Sequence, residues 1–150
     1  MFRRFLIPIL FYPLALTADP LPSLAGEDQF GQPCALSADT RLLLFSHDKA
    51  GSHLAMEAIE RLWPDGDAPM QLVVDTRDVP GWVMSWFMLP KLRRHNTPLC
   101  LDQQGVMTQA LSPDEGQVLL IGLDNLNIEK RAGFTVVDAL TEALERIPGA

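Results

Sequence analysis

Cysteine is scarce in this chain of 150 residues: Cys34 and Cys100 are its only thiols. Two sulfurs exclude a miniprotein built on a disulfide framework and the usual four-ligand zinc site. Basic residues are also few, 12 against 19 acidic, giving a formal charge of −7. That excludes nucleic acid as a partner class, since phosphate binding rests on clustered Lys and Arg. No stretch approaches the roughly 20 apolar residues of a membrane-spanning helix. Internal repeats and linker-like segments are missing as well, so the chain reads as one domain. Apolar material is plentiful, at 47% of residues with 21% charged. A core can therefore offset chain entropy, and disordered or collagen-like readings fall away.

The first 25 residues read as a secretory signal peptide. Arg3 and Arg4 form a positive start, and Phe5 to Leu16 is an apolar run broken by Pro8 and Pro13. Ser23-Leu24-Ala25 then offers small residues for a cleavage site, with Ala18 as a second candidate. The expected division is a signal over 1–25 and one domain over 26–150, delivered to the periplasm. An oxidising compartment permits a bond between Cys34 and Cys100.

Beyond the leader the pattern alternates between strand and helix. Arg41 to Ser46 is a short continuous apolar run, the mark of a strand buried on both faces. Asp48 or Ser52 caps a helix running to Trp63, with Leu54, Ala55, Ala58, Ile59 and Leu62 on one side. A strand follows over Gln71 to Asp75. Asp78 is expected to cap a helix that reaches Leu89 or Leu92. Thr97 to Asp102 reads as a strand and Val106 to Leu111 as a short helical turn. Gln117 to Gly122 and Leu126 to Glu129 form a hairpin, and Phe134 to Ile147 is a last amphipathic helix.

That order, carried by Leu42 to Phe45 feeding a helix, the Thr97 to Gly105 block and the final hairpin and helix, resembles the thioredoxin superfamily. The closer likeness is to its peroxiredoxin-like and exported thioredoxin-like branch. The resemblance implies an α/β thioredoxin-like fold, a central mixed sheet with helices on both faces. It also places a degenerate active-site loop at Ala50, Gly51, Ser52 and His53, where Cys-x-x-Cys or a peroxidatic cysteine would stand. The residue opposite is normally a cis-proline. Pro98 fits a short register, whereas the element count prefers a longer one with Asp114-Glu115-Gly116 in that place.

Three candidate sites remain. Cys34 and Cys100 are a reactive pair, two buried small hydrophobes, or an inert disulfide. His47, Asp48 and His53 flank the loop, but their spacing is not that of a metal motif, so neither metal nor cofactor is expected. Trp82 to Leu89 is apolar all round. Trp82, Trp86 and Leu89 are its candidates for docking, with Val83 and Phe87 expected in the core. Lys91, Arg93 and Arg94 lie just beyond, yet the overall acidity works against a membrane surface. The functional expectation is a redox-inactive exported module that binds a protein partner or itself through the 82–92 helix. The alternative is a thiol–disulfide oxidoreductase or peroxidase using Cys34 or Cys100.

Overall fold

The structure, a computed structural model, describes residues 20–148. Arg3, Arg4, the Phe5 to Leu16 run and Ala18 lie outside the described residues. Five strands form the central sheet, in the order β5-β4-β3-β6-β7. They are β3 (Leu42–Ser46), β4 (Gln71–Asp75), β5 (Leu99–Asp102), β6 (Val118–Asp124) and β7 (Asn127–Phe134). β3, β4 and β5 run parallel, β6 runs antiparallel to β3, and β7 runs antiparallel to β6. A separate antiparallel hairpin joins β1 (Leu24–Glu27) to β2 (Pro33–Leu36).

Alternation along the strands divides the core into two layers. Leu44, Leu72, Val74, Leu99, Leu101 and Val118 face one layer. It is covered by α1 (Lys49–Leu62) and α5 (Val137–Glu145), which supply Ala55, Ala58, Ile59, Leu140 and Leu144. Leu43, Phe45, Val73, Cys100, Leu119 and Ile121 face the other layer. It is closed by α4 (Val106–Leu111) and by the hairpin with the segment before it, through Met107, Leu111, Leu21, Leu24 and Leu36. Both faces of the sheet are therefore covered, which is why its inner strands read as continuous apolar runs.

The hairpin is integral to the domain. Asp28 holds its turn by accepting hydrogen bonds from the backbone N–H groups of Phe30 (2.8 Å) and Gln32 (3.0 Å). Gly31 sits there at φ 76°, a left-handed conformation that favours glycine. Leu21 and Leu24 are buried, and Leu21 donates its N–H to the Leu126 carbonyl. The boundary expected after Ala25 thus falls inside β1, whose Leu24 and Ala25 pair with Leu36 and Ala35.

The segment after β4 departs from expectation. Its helix begins at Gly81 behind Pro80, and Asp78 makes no capping bond. α2 (Gly81–Val83) opens into a π turn over Met84–Met88 and continues as α3 (Leu89–Leu92). Pro90 supplies the cause: it has no N–H for the Trp86 carbonyl, and its ring crowds that position. Widening the turn relieves both problems, and Leu89 donates to Met84 five residues back. The extra residue rotates the apolar stripe. Met84, Leu89 and Leu92 pack on the first core layer. Val83 is half-buried and Phe87 is 59% exposed, so the expected Val83–Phe87 core stripe does not form. Trp82 and Trp86 are exposed, and Trp82 meets Phe87 edge to face at 6.3 Å. At the C-terminal end, Phe134 closes β7 rather than opening the last helix, which starts at Val137.

Candidate functional site

The loop singled out by sequence lies where β3 turns into α1. Asp48 is the N-cap of α1: its Oδ1 accepts from the Gly51 N–H at 2.7 Å, and its Oδ2 accepts from the Gly116 N–H at 2.6 Å. The Asp114-Glu115-Gly116 loop is thereby drawn across the start of α1. Pro98 precedes β5 and lies at the amino ends of the parallel strands, whereas α1 starts at their carboxyl ends. The longer register is therefore the structural one, and no cis peptide bond occurs among the described residues. Gly51 is needed here, because a Cβ would stand 3.0 Å from the Gln117 carbonyl oxygen and 3.1 Å from Asp48 Oδ1. The Ser46 and Ser52 hydroxyls meet at 2.9 Å, with Ser46 buried.

Burial opposes the charged form of Asp48, but the N–H groups of Gly116 and Gly51, with the nearby His47 charge, outweigh it. The carboxyl is held below its ordinary value of 3.8. Its stabilising contribution is full above 3.8 and lost as pH falls through the lower native value. Asp48→Ala should cost about 1 kcal/mol at neutral pH. Urea unfolding of both proteins from neutral to acid pH checks this, and the difference should shrink toward the acid end.

His47 Nε2 lies 3.7 Å from Asp48 Oδ2, and His47 Nδ1 is buried with no partner among the described residues. His53 and Ala50 are exposed. Among the described residues no cluster of three His, Cys, Asp or Glu side chains is placed to hold a metal. His95 pairs with Glu60 across the first core layer's rim, away from this loop.

The sulfurs lie elsewhere. Cys34 on β2 and Cys100 on β5 form a disulfide with their Cα atoms 5.7 Å apart. Cys100 continues a row across the sheet, Phe45 beside Val73 and Val73 beside Cys100, on the face opposite α1. The pair is asymmetric: Cys100 is 0% exposed, whereas Cys34 is half-buried on the hairpin. Two residues that the sequence did not flag bring the hairpin to β5. Gly26 is one: a Cβ there would meet the Leu101 carbonyl oxygen at 3.3 Å, so glycine permits the close approach. Gln29 is the other. Fully buried, it donates Nε2 to the Thr97 carbonyl at 2.8 Å and accepts the Leu99 N–H on Oε1 at 2.7 Å. Its side chain thus stands in for a neighbouring strand along the outer edge of β5.

This geometry brings together Cys34 and Cys100, assembles Ala50 to His53 at the start of α1, and leaves Trp82 and Trp86 exposed on the segment after β4. No protein-family model matches the chain, and no curated protein matches it by sequence. Solved structures do match its fold. The peroxidoxin BcpB from Mycobacterium tuberculosis is 17% identical with a TM-score of 0.55, covering 85% of this chain and 92% of that one. The exposed lipoprotein thioredoxin Etrx1 from Streptococcus pneumoniae is 15% identical with a TM-score of 0.56, covering 84% and 100%. A thiol-disulfide oxidoreductase from Bacteroides fragilis is 14% identical with a TM-score of 0.52, covering 83% and 99%. The expectation of a redox-inactive, non-catalytic module acting through the 82–92 helix is accordingly corrected. Its two cysteines are bonded to each other, and its structural neighbours include thiol–disulfide and peroxiredoxin-like proteins. The chain has a thioredoxin-like fold, a mixed five-stranded sheet covered on both faces.

Proposed function

We propose that this is an exported thiol–disulfide exchange protein whose reactive pair is Cys34–Cys100. The observation that carries this reading is the asymmetry of the bonded pair, Cys34 a half-buried residue on the hairpin and Cys100 fully buried in the core. Exchange proceeds by thiolate attack on the reachable sulfur. A substrate thiolate bonds to Cys34 Sγ, the Cys34–Cys100 bond breaks, and its electron pair passes to Cys100 Sγ. Cys100 Sγ takes up the proton that the substrate thiol gave up on forming its thiolate, which balances the step. A second substrate thiolate then attacks the mixed disulfide and releases Cys34. The substrate dithiol is oxidised, the protein pair is reduced, and the reverse sequence reduces a substrate disulfide.

The loop at Ala50, Gly51, Ser52 and His53 takes no part in this chemistry. It carries no sulfur, and the Asp48 carboxylate already occupies the helix end that would stabilise a thiolate. Export is supported by the leader pattern and by the bonded cysteines, which oxidising compartments favour. Cleavage after Ala18 suits the domain better than cleavage after Ala25, because Leu21 and Leu24 belong to the core. The intact mass of the exported protein should begin at Asp19, and a mature chain beginning at Gly26 would contradict this.

The exchange itself is tested by trapping. Native Cys100→Ser protein mixed with oxidised glutathione should acquire one glutathione, mapped to Cys34. Failure of that adduct to form until the protein unfolds would overturn the assignment of Cys34 as the attacked sulfur.

A further inference from the structure

Beside the disulfide, β1 and the carboxyl half of β5 border a cleft of about 510 Å³, inside the roughly 300–1,000 Å³ range of ligand sites. Its walls include Ser23, Ala25 and Glu27 on one side and Leu101 and Gln103 on the other. The walls present backbone more than side chain. In a parallel ladder, alternate residues direct both N–H and C=O to the same neighbour. Asp102 gives its carbonyl to the Thr76 N–H beyond β4, so Leu99 and Leu101 direct theirs away from the sheet. Gln29 satisfies the Leu99 N–H, whereas among the described residues no side chain makes such a bond to Leu101, whose carbonyl faces Gly26. On the hairpin, the Asp28 N–H bonds to the Gln32 carbonyl. The bonded pairs therefore continue at Gly26 with Cys34 and at Leu24 with Leu36. Ala25 and Glu27 consequently turn their backbone groups outward, and both residues are exposed.

We infer that this cleft takes an extended stretch of a substrate polypeptide, paired by backbone hydrogen bonds to the outer edge of β1. The inference rests on the exchange reading above and names its substrate class: a cysteine-bearing peptide in extended conformation. An open strand edge supplies affinity without regard to side chains, which suits a protein that meets many sequences. Gly26 connects the cleft to the chemistry. It lines the cleft and is the cross-strand partner of Cys34, so no side chain of its own stands between them. A peptide thiolate laid along β1 approaches Cys34 Sγ over this glycine. The bond changes are those already described, with the peptide as the thiol donor.

The test uses oxidised full-length domain and three reductants: a six-residue peptide dithiol, the same peptide with alternate backbone nitrogens methylated, and dithiothreitol. Loss of two edge hydrogen bonds should slow the methylated peptide roughly tenfold relative to the parent. Ala25→Pro removes a different bond, the outward Ala25 N–H that a peptide carbonyl would accept, and it should slow the parent peptide severalfold while leaving the dithiothreitol rate unchanged. Ready reduction by dithiothreitol with equal rates for the two peptides would overturn the docking inference and leave exchange standing. No reduction by any of the three in the native protein would overturn both.

Discussion

Reduction of the Cys34–Cys100 bond is expected to cost the folded domain about 4 kcal/mol. The bond spans a separation of 66 residues, and loop-closure entropy for a loop of that length gives a value of this size. For a domain of this length the melting temperature should fall by roughly 10–20 °C. Differential scanning calorimetry with and without reductant measures it. A Cys34→Ala, Cys100→Ala double variant should melt close to the reduced protein. The loss acts chiefly through the hairpin, because the bond is what fastens β2 to β5. A fall of only a few degrees would mean that Leu21, Leu24, Leu36 and Gln29 hold the hairpin without help.

The second large effect is expected at Gln29. Gln29→Met keeps most of the side-chain volume but leaves the Leu99 N–H and the Thr97 carbonyl buried without their partner. Each orphaned group costs about 1–3 kcal/mol, so the substitution should destabilise by about 2–4 kcal/mol in urea unfolding. Amide exchange adds a local readout, since the Leu99 N–H should lose protection more than the Cys100 N–H, which faces β4 on the same strand. A cost under 1 kcal/mol would show that water replaces the amide and that Gln29 does not seal the edge.

Local patterns carried much of the fold. Gln71 to Asp75 and Val106 to Leu111 are strand and helix with the bounds that their apolar runs imply. Leu42 to Ser46 is buried on both faces, as its unbroken apolar run requires. The misreadings fall where distant contacts decide. Periodicity placed Val83 and Phe87 on one core stripe, but Pro90 widens the preceding turn and rotates that stripe outward. Phe134 fits a helical pattern and ends a strand instead, because β7 pairs with β6 down to Val118.

The candidate site was legible in part. The sequence located the start of α1 and the two sulfurs, but read the missing loop cysteines as missing chemistry. Residues 66 apart reveal no proximity by spacing, and two neighbouring features produce it: a glycine facing a carbonyl and a glutamine on a strand edge. Neither has a sequence signature. A lone Gln between Asp28 and Phe30 reads as an ordinary turn residue, although it is fully buried.

Exchange chemistry requires the Cys34–Cys100 bond to open and reclose in the native protein. Its most direct test is redox equilibration against graded dithiol buffers, quenched by alkylation and read by intact mass, with circular dichroism recorded in parallel. The expected result is a reversible two-electron transition between roughly −120 and −270 mV, the span of catalytic thiol–disulfide pairs, with native secondary structure on both sides. A pair that stays oxidised below about −300 mV, or opens only as the spectrum collapses, is a structural staple and contradicts it.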